Sequence, residues 1–239
     1  MSEFVVVSDA DRLAQVAAKR FVALASTAVV QQGRFVVALS GGSTPRPMYR
    51  RLAERPQSLM VDWSNVELFW GDERCVPPDH PDSNYRMARQ ALLDDDHNDG
   101  VRIPDAQVHR IRGELPPGEA AAVYREELTA VLGEEGRFDL ILLGLGSDGH
   151  TASLFPGTTA VEERGRDVVA VYVAGLASWR VTLTLPAINR ARHVIFLVSG
   201  ARKADALARI RAGEDLPASM VQPVKGTLTW LVDRDAAAG

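Results

Sequence analysis

Apolar residues in this chain follow two rhythms, short unbroken runs and longer stripes at helical spacing, and the two alternate along its length. The runs at 4–7, 34–39, 66–70, 140–143 and 194–198 have the length and the β-branched or aromatic content of buried strands. Residues 168–173 and 180–185 alternate apolar with polar and predict a hairpin or two neighbouring strands, while 108–111 and 228–232 predict two further short strands. Amphipathic stretches between them predict helices. One runs from a cap at Ser8 or Asp9 to about Gln32, before Gly33; others cover 47–52, about 84–93 and about 119–132. A short helix starts at Pro186, another opens at 199–203 and closes near Ala212 and Gly213, and residues 151–155 predict one more turn of helix ended by Pro156. The tail 235–239 reads as frayed. Such alternation predicts an α/β fold, a single domain over residues 1–239 with a mostly parallel sheet covered by helices on both faces.

Composition narrows the class. At 239 residues and 46% hydrophobic content the chain can bury a substantial core, and a formal net charge of −4 argues against nucleic acid or an anionic membrane as partner. An anionic ligand would therefore need local donors. Cys75 is the single cysteine, which leaves no disulfide framework and fits a reducing compartment. The N-terminus is acidic where a secretory signal is basic, and no apolar run approaches ~18 residues, so the reading is a soluble cytoplasmic protein.

Chemistry concentrates where strands end. The run 140–143 breaks into Gly144-Leu145-Gly146-Ser147-Asp148-Gly149-His150, which opens the strand's end and sets an acid and a base two residues apart. The letters fit G-x-G-x-x-G, but Asp148 would repel a pyrophosphate and Pro156 removes the helix that should receive it. A turn whose glycines serve packing alone has no need of an ionisable His behind an Asp. After 34–39 comes Ser40-Gly41-Gly42-Ser43-Thr44-Pro45, a source of N–H and O–H donors at a helix start, suited to a phosphate although it is no Walker loop. The alternative for it is a hydroxyl-capped turn. After 66–70 come Gly71-Asp72-Glu73-Arg74, read as functional rather than as a solvated ion pair, and a proline-rich loop 75–83 of a length that often covers a site. The acidic run 94–100, with His97, reads as a solvated loop.

These blocks, in this order, resemble the 6-phosphogluconolactonases, which share a fold with glucosamine-6-phosphate deaminase and ribose-5-phosphate isomerase. The resemblance spans nearly the full length and rests on Ser40 to Pro45, Gly71 to Arg74 with Asp82-Ser83-Asn84 behind them, Gly144 to Pro156, and Ser199-Gly200 through Lys203-Ala204. It implies hydrolysis of 6-phospho-D-glucono-1,5-lactone, with His150 and Asp148 catalytic and Ser40, Gly41, Gly42, Ser43, Thr44, Asp72, Arg74, Asn84, Gly146 and Lys203 binding substrate. Two departures matter. The deaminases carry an acidic residue where Phe155 stands and Asp-Glu-Tyr where this chain has Asp72-Glu73-Arg74. In the lactonases an aromatic residue more often occupies the place of Cys75, read here as a packing change and not a nucleophile.

A δ-lactone is already an activated ester, so the resemblance implies no cofactor and no metal, and His80, His97, His109 and His193 lack a ligand spacing. His150 would take a proton from water and return it to the ring oxygen, with Asp148 either orienting it or making a separate contact. The implied partner is a small phosphosugar lactone, met by a monomer. A phosphosugar deaminase or isomerase, or a phosphosugar-binding module without catalysis, are the other readings; acidity and the lack of length for a DNA-binding unit weigh against a regulator.

Overall fold

The computed structural model describes residues 2–94, 101–133 and 135–239. The acidic run with His97 lies largely outside the described residues. Strand β1 (Ser2–Val7) leads into α1 (Ala10–Gln32), whose start is capped by the Asp9 carboxylate accepting the Arg12 N–H at 2.8 Å and whose end is the left-handed Gly33. By length and composition α1 could cross a membrane, yet Leu13, Ala17, Phe21, Val22 and Ala25 are buried, and the helix packs on the sheet. Next come β2 (Phe35–Leu39), α2 (Arg46–Ala53), β3 (Val66–Trp70), β4 (Asp72–Arg74) and α3 (Asn84–Ala88), which continues as a π turn over Arg89–Leu93. The second half holds α4 (Pro117–Leu132), β5 (Leu140–Gly144), α5 (Thr159–Glu162), β6 (Val168–Val173) and β7 (Ser178–Leu183). It closes with α6 (Leu185–Asn189), β8 (His193–Val198), α7 (Ala204–Arg211), β9 (Thr227–Asp233) and α8 (Arg234–Ala237).

Six strands form a parallel sheet in the order β1-β9-β8-β5-β2-β3. Side chains alternate faces along a strand, so the complete burial of β2, and of β5 up to Gly144, shows that both faces of the sheet are covered. Phe196 stacks on Trp230 at 3.9 Å, and Phe21 meets Phe35 edge-on at 5.3 Å. From β2 the chain adds β3 on one side and then returns to place β5 on the other. That reversal leaves a crevice at the carboxyl ends of β2 and β5, where open α/β sheets take ligands.

Four segments differ from the sequence expectation. The strands at 168–173 and near 180–185 pair as a hairpin, but they join β4 in a separate antiparallel sheet, β4-β7-β6. Residues 108–111 form no strand; Val108 makes one parallel bridge to Leu68. The tail is held, because the Asp233 carboxylate caps α8 through the Ala236 N–H and Ala236 is buried. Residues 151–155 form no helix either. Thr151 and Leu154 bridge across a tight turn, with Ala152 at φ 48 and the Thr151 hydroxyl donating to the Gly144 carbonyl at 2.9 Å.

Candidate active site

At the crevice lies a cleft of about 510 Å³, walled by the loops that leave β2, β5 and β8 and by the small sheet. Every residue expected to bind substrate lines it: Ser40, Gly41, Gly42, Ser43 and Thr44 from the β2 loop, Asp72 and Arg74 from β4, Asn84 from α3, Gly146 from the β5 loop and Lys203 from the β8 loop. His150 lines it as well. Asp148 does not, and stands behind His150 with Oδ1 2.5 Å from the ring Nδ1 and 3.2 Å from the backbone N–H of the same residue. The acid and base two residues apart are thus in contact rather than serving separate partners.

The β5 loop is shaped around that pair. A Cβ on Gly146 would stand 2.1 Å from His150 Nδ1 and 2.6 Å from Asp148 Oδ1, so only glycine leaves the ring its place. Phe155 closes the far side, its ring stacked on the imidazole at 4.0 Å. Burial pushes the Asp148 carboxyl up, but the hydrogen bonds and charge of His150 outweigh it and hold the group below its ordinary value. The turn behind is pinned by Ser153, fully buried, whose hydroxyl donates to Asp72 Oδ2 at 2.6 Å and whose N–H donates to Thr182 Oγ1 at 3.2 Å.

Each neighbouring loop has its own fastening. The buried Tyr49 hydroxyl donates to the Ser40 carbonyl at 2.8 Å and accepts the Ser40 N–H at 3.0 Å, fixing the first residue after β2. Tyr124 clamps Trp70 at the end of β3 in the same way. A Cβ on Gly41 would overlap Asn84, whose side-chain amide donates to the Asp72 carbonyl at 2.9 Å. The buried Glu73 carboxylate accepts from the N–H groups of Arg74, Asn84 and Tyr85 and from the Ser83 hydroxyl, knitting β4 to α3. On the β8 loop, Asp233 accepts the Ser199 hydroxyl and the Gly200 N–H, with Gly200 at φ 90. Burial, with Arg202 alongside, holds the Lys203 ammonium below its ordinary value, while Asp148 pulls it upward.

Sequence reasoning missed three cleft residues of consequence. Arg180 lies mid-strand in β7, in an alternating segment with no glycine turn beside it; Arg202 sits next to Lys203; Leu176 belongs to the tip of the β6–β7 hairpin. The loop 75–83 does not line the cleft, and its Asp82 carbonyl instead accepts from the Arg74 guanidinium. Cys75 is half-buried, and burial, together with the Glu73 charge, pushes its thiol up to about 11, which suits packing and not nucleophilic attack. His80, His109 and His193 lie away from the cleft; His109 sits on Phe69 and contacts Glu67 at 2.8 Å. Among the described residues no three His, Cys, Asp or Glu side chains converge as a metal site.

Comparison with known proteins accords with this geometry. A 6-phosphogluconolactonase of Synechocystis is 45% identical over 218 residues, which cover 87% of this chain and 86% of that one. The solved 6-phosphogluconolactonase of Trypanosoma cruzi superposes with a TM-score of 0.87 at 33% identity, covering 100% of this chain and 97% of that one. A monomeric glucosamine-6-phosphate deaminase reaches a TM-score of 0.80 at 24% identity over 99% of both chains, a likeness of fold alone. The family model of glucosamine-6-phosphate isomerases/6-phosphogluconolactonase matches residues 8–230. With that match across the sheet and all the loops of the cleft, the chain belongs to the glucosamine-6-phosphate isomerase and 6-phosphogluconolactonase family.

Proposed function

We propose that this chain hydrolyses 6-phospho-D-glucono-1,5-lactone to 6-phospho-D-gluconate, as a cytoplasmic enzyme of the oxidative pentose phosphate route. The observation that carries the reading is the His150–Asp148 contact at the mouth of β5, placed between a donor-rich loop and a cationic wall. The depressed Asp148 carboxylate is an acceptor, so it takes the Nδ1–H of His150 and leaves the Nε2 lone pair as the base. His150 removes a proton from water as the oxygen adds to the lactone carbonyl. The tetrahedral intermediate then collapses, the bond from C1 to the ring oxygen breaks, and the imidazolium returns the proton to that oxygen. The carboxylic acid formed is fully ionised at neutral pH and so releases one proton to solvent.

Binding falls to the neighbouring loops. The Ser40 to Thr44 loop, Arg74 and Lys203 hold the phosphate, with Gly41 and Gly42 allowing close approach and Asn84 and Asp72 fixing the loops. Phe155 supports the lactonase reading over the deaminase one, because it puts an apolar ring on His150 where the deaminases resemble each other in carrying an acid. The test is proton release in a pH-stat with freshly made phosphorylated lactone, corrected for spontaneous opening. Saturable release that survives exhaustive chelation is expected. Ammonia or ketose formed from an aminosugar or aldose phosphate, with no lactone opening, would overturn the assignment.

A further inference from the structure

Leu216 is buried, yet it stands outside the hydrophobic core that joins the sheet to its helices. Its side chain packs instead on the backbone of Gly149, the residue between Asp148 and His150. A Cβ on Gly149 would lie 2.7, 2.9 and 3.0 Å from Leu216 Cδ1, Cβ and Cγ, so the leucine fills the space that a side chain at this position would need. With φ at 83, Gly149 also holds a left-handed turn that other residues rarely adopt. Beside this contact the Ala218 N–H donates to the Gly149 carbonyl at 3.0 Å.

The β5 loop also bonds to itself. The Gly149 N–H donates to the Gly146 carbonyl at 3.1 Å and the Gly146 N–H to the His150 carbonyl at 2.8 Å. Those bonds set the loop's shape, and on the Gly149 side Leu216 and Ala218 are what it rests against. The segment that carries them is itself fixed. Ser219 Oγ accepts the Leu216 N–H at 3.0 Å and donates to the Leu216 carbonyl at 2.7 Å, and the Glu214 carboxylate accepts from Nε of Arg209 on α7 at 2.7 Å. Neither Leu216 nor Ala218 lines the cleft, so whatever they do for the site they do through the loop.

We propose that Leu216 is a positioning residue for the hydrolysis, a wedge behind Gly149 that sets the His150 ring against Asp148. This rests on the assignment of His150 as the base and adds to it a residue remote in the chain that touches no substrate. Gly149 lies between the acid and the base, so a shift of its backbone moves the two side chains relative to each other. The contact of 2.5 Å between Asp148 Oδ1 and His150 Nδ1 leaves no slack, and such a shift lengthens it. A longer contact frees the ring to carry its proton on Nε2, where it can no longer accept one from water. Shortening Leu216 opens space behind Gly149 into which the turn can settle.

The experiment measures turnover of the phosphorylated lactone and the tautomer of His150 in the wild-type protein, Leu216→Ala and Leu216→Met. The tautomer is read from the ring nitrogen shifts of isotope-labelled protein above neutral pH. The wild-type ring is expected to hold its proton on Nδ1. Leu216→Ala should lower kcat by about 10- to 100-fold with KM changed by no more than about twofold, and should move the proton in part to Nε2. Leu216→Met keeps the volume and should restore most of both. A residue that served stability alone would lower the melting temperature and leave kcat and the tautomer of the folded protein unchanged. Where Leu216→Ala fails to fold, Leu216→Val removes less and should show the same two changes at smaller size. A wild-type ring protonated on Nε2, or a folded alanine or valine variant that keeps wild-type turnover or the wild-type tautomer, would overturn the wedge. Loss of the Nδ1 proton in Leu216→Ala, in a protein that opens no lactone before or after the change, would support the wedge and overturn the reaction assigned above.

Discussion

At the scale of single residues the site depends on atoms that are missing as much as on those present. A methyl group on Gly146 would stand 2.1 Å from Nδ1 of His150, well inside contact distance, so the ring or the turn must move. Gly146 is not among the positive-φ positions, and alanine fits its backbone. Gly146→Ala should therefore fold normally and lower kcat by about 10²-fold, the usual result of displacing a reacting group by an ångström. Steady-state kinetics beside a circular dichroism melt checks this, and unchanged turnover would mean that the ring's position is not what the chemistry needs. The Gly146 and His150 letters were legible in the sequence, since three glycines breaking an apolar run beside an Asp and a His have few structural uses. Arg180 was not. Its place in the cleft comes from standing opposite Arg74, and cross-strand register between segments far apart in the chain leaves no local mark.

Elements place those residues by fastening strand ends. The Tyr49 hydroxyl of α2 both donates to and accepts from the Ser40 backbone, so Tyr49→Phe leaves a buried N–H and C=O without their partner. Such a loss costs about 1–3 kcal/mol. For a chain of this size that corresponds to a fall in Tm of roughly 2–12 °C, and the loosened Ser40 to Thr44 loop should raise KM more than it lowers kcat. An unchanged melting temperature would show that the hydroxyl is not holding the loop. Strands and long helices were predicted nearly to the residue, because β2, β3 and α1 carry strong periodicity and clear stops such as Gly33. Residues 151–155 carry a helix-like pattern but form a tight turn. Its Thr and Ser hydroxyls are spent on Gly144 and Asp72, contacts across the fold that override local propensity, and the left-handed Ala152 has no sequence signal. The tail likewise has no sequence mark of order, because the Asp233 cap and the burial of Ala236 depend on tertiary packing.

For the molecule as a whole, the parallel sheet was legible and the division of labour within it was only partly so. Alternating runs and stripes give the α/β class, but they cannot say that β4, β6 and β7 leave the main sheet to build a separate wall of the cleft. That wall separates binding from chemistry. The groups proposed to hold phosphate come from the loops after β2 and β8 and from β4, whereas the proposed base comes from the loop after β5. Substitution of the base should then slow the bound complex while leaving affinity nearly intact. Exposed residues such as Tyr172 and Trp179 on the β6–β7 hairpin take no part in this division, since neither lines the cleft.

The most direct test is the turnover of His150→Ala and His150→Gln on the phosphorylated lactone, with spontaneous opening subtracted. A general base contributes ~10²–10⁴-fold, so kcat should fall by that range in both variants while KM changes by no more than about threefold. Glutamine keeps polarity but carries no proton between water and the ring oxygen, and it should be nearly as slow as alanine. Wild-type turnover in either folded variant would contradict the account, because the base would then have to be sought elsewhere, with Asp72 the carboxylate that lines the cleft.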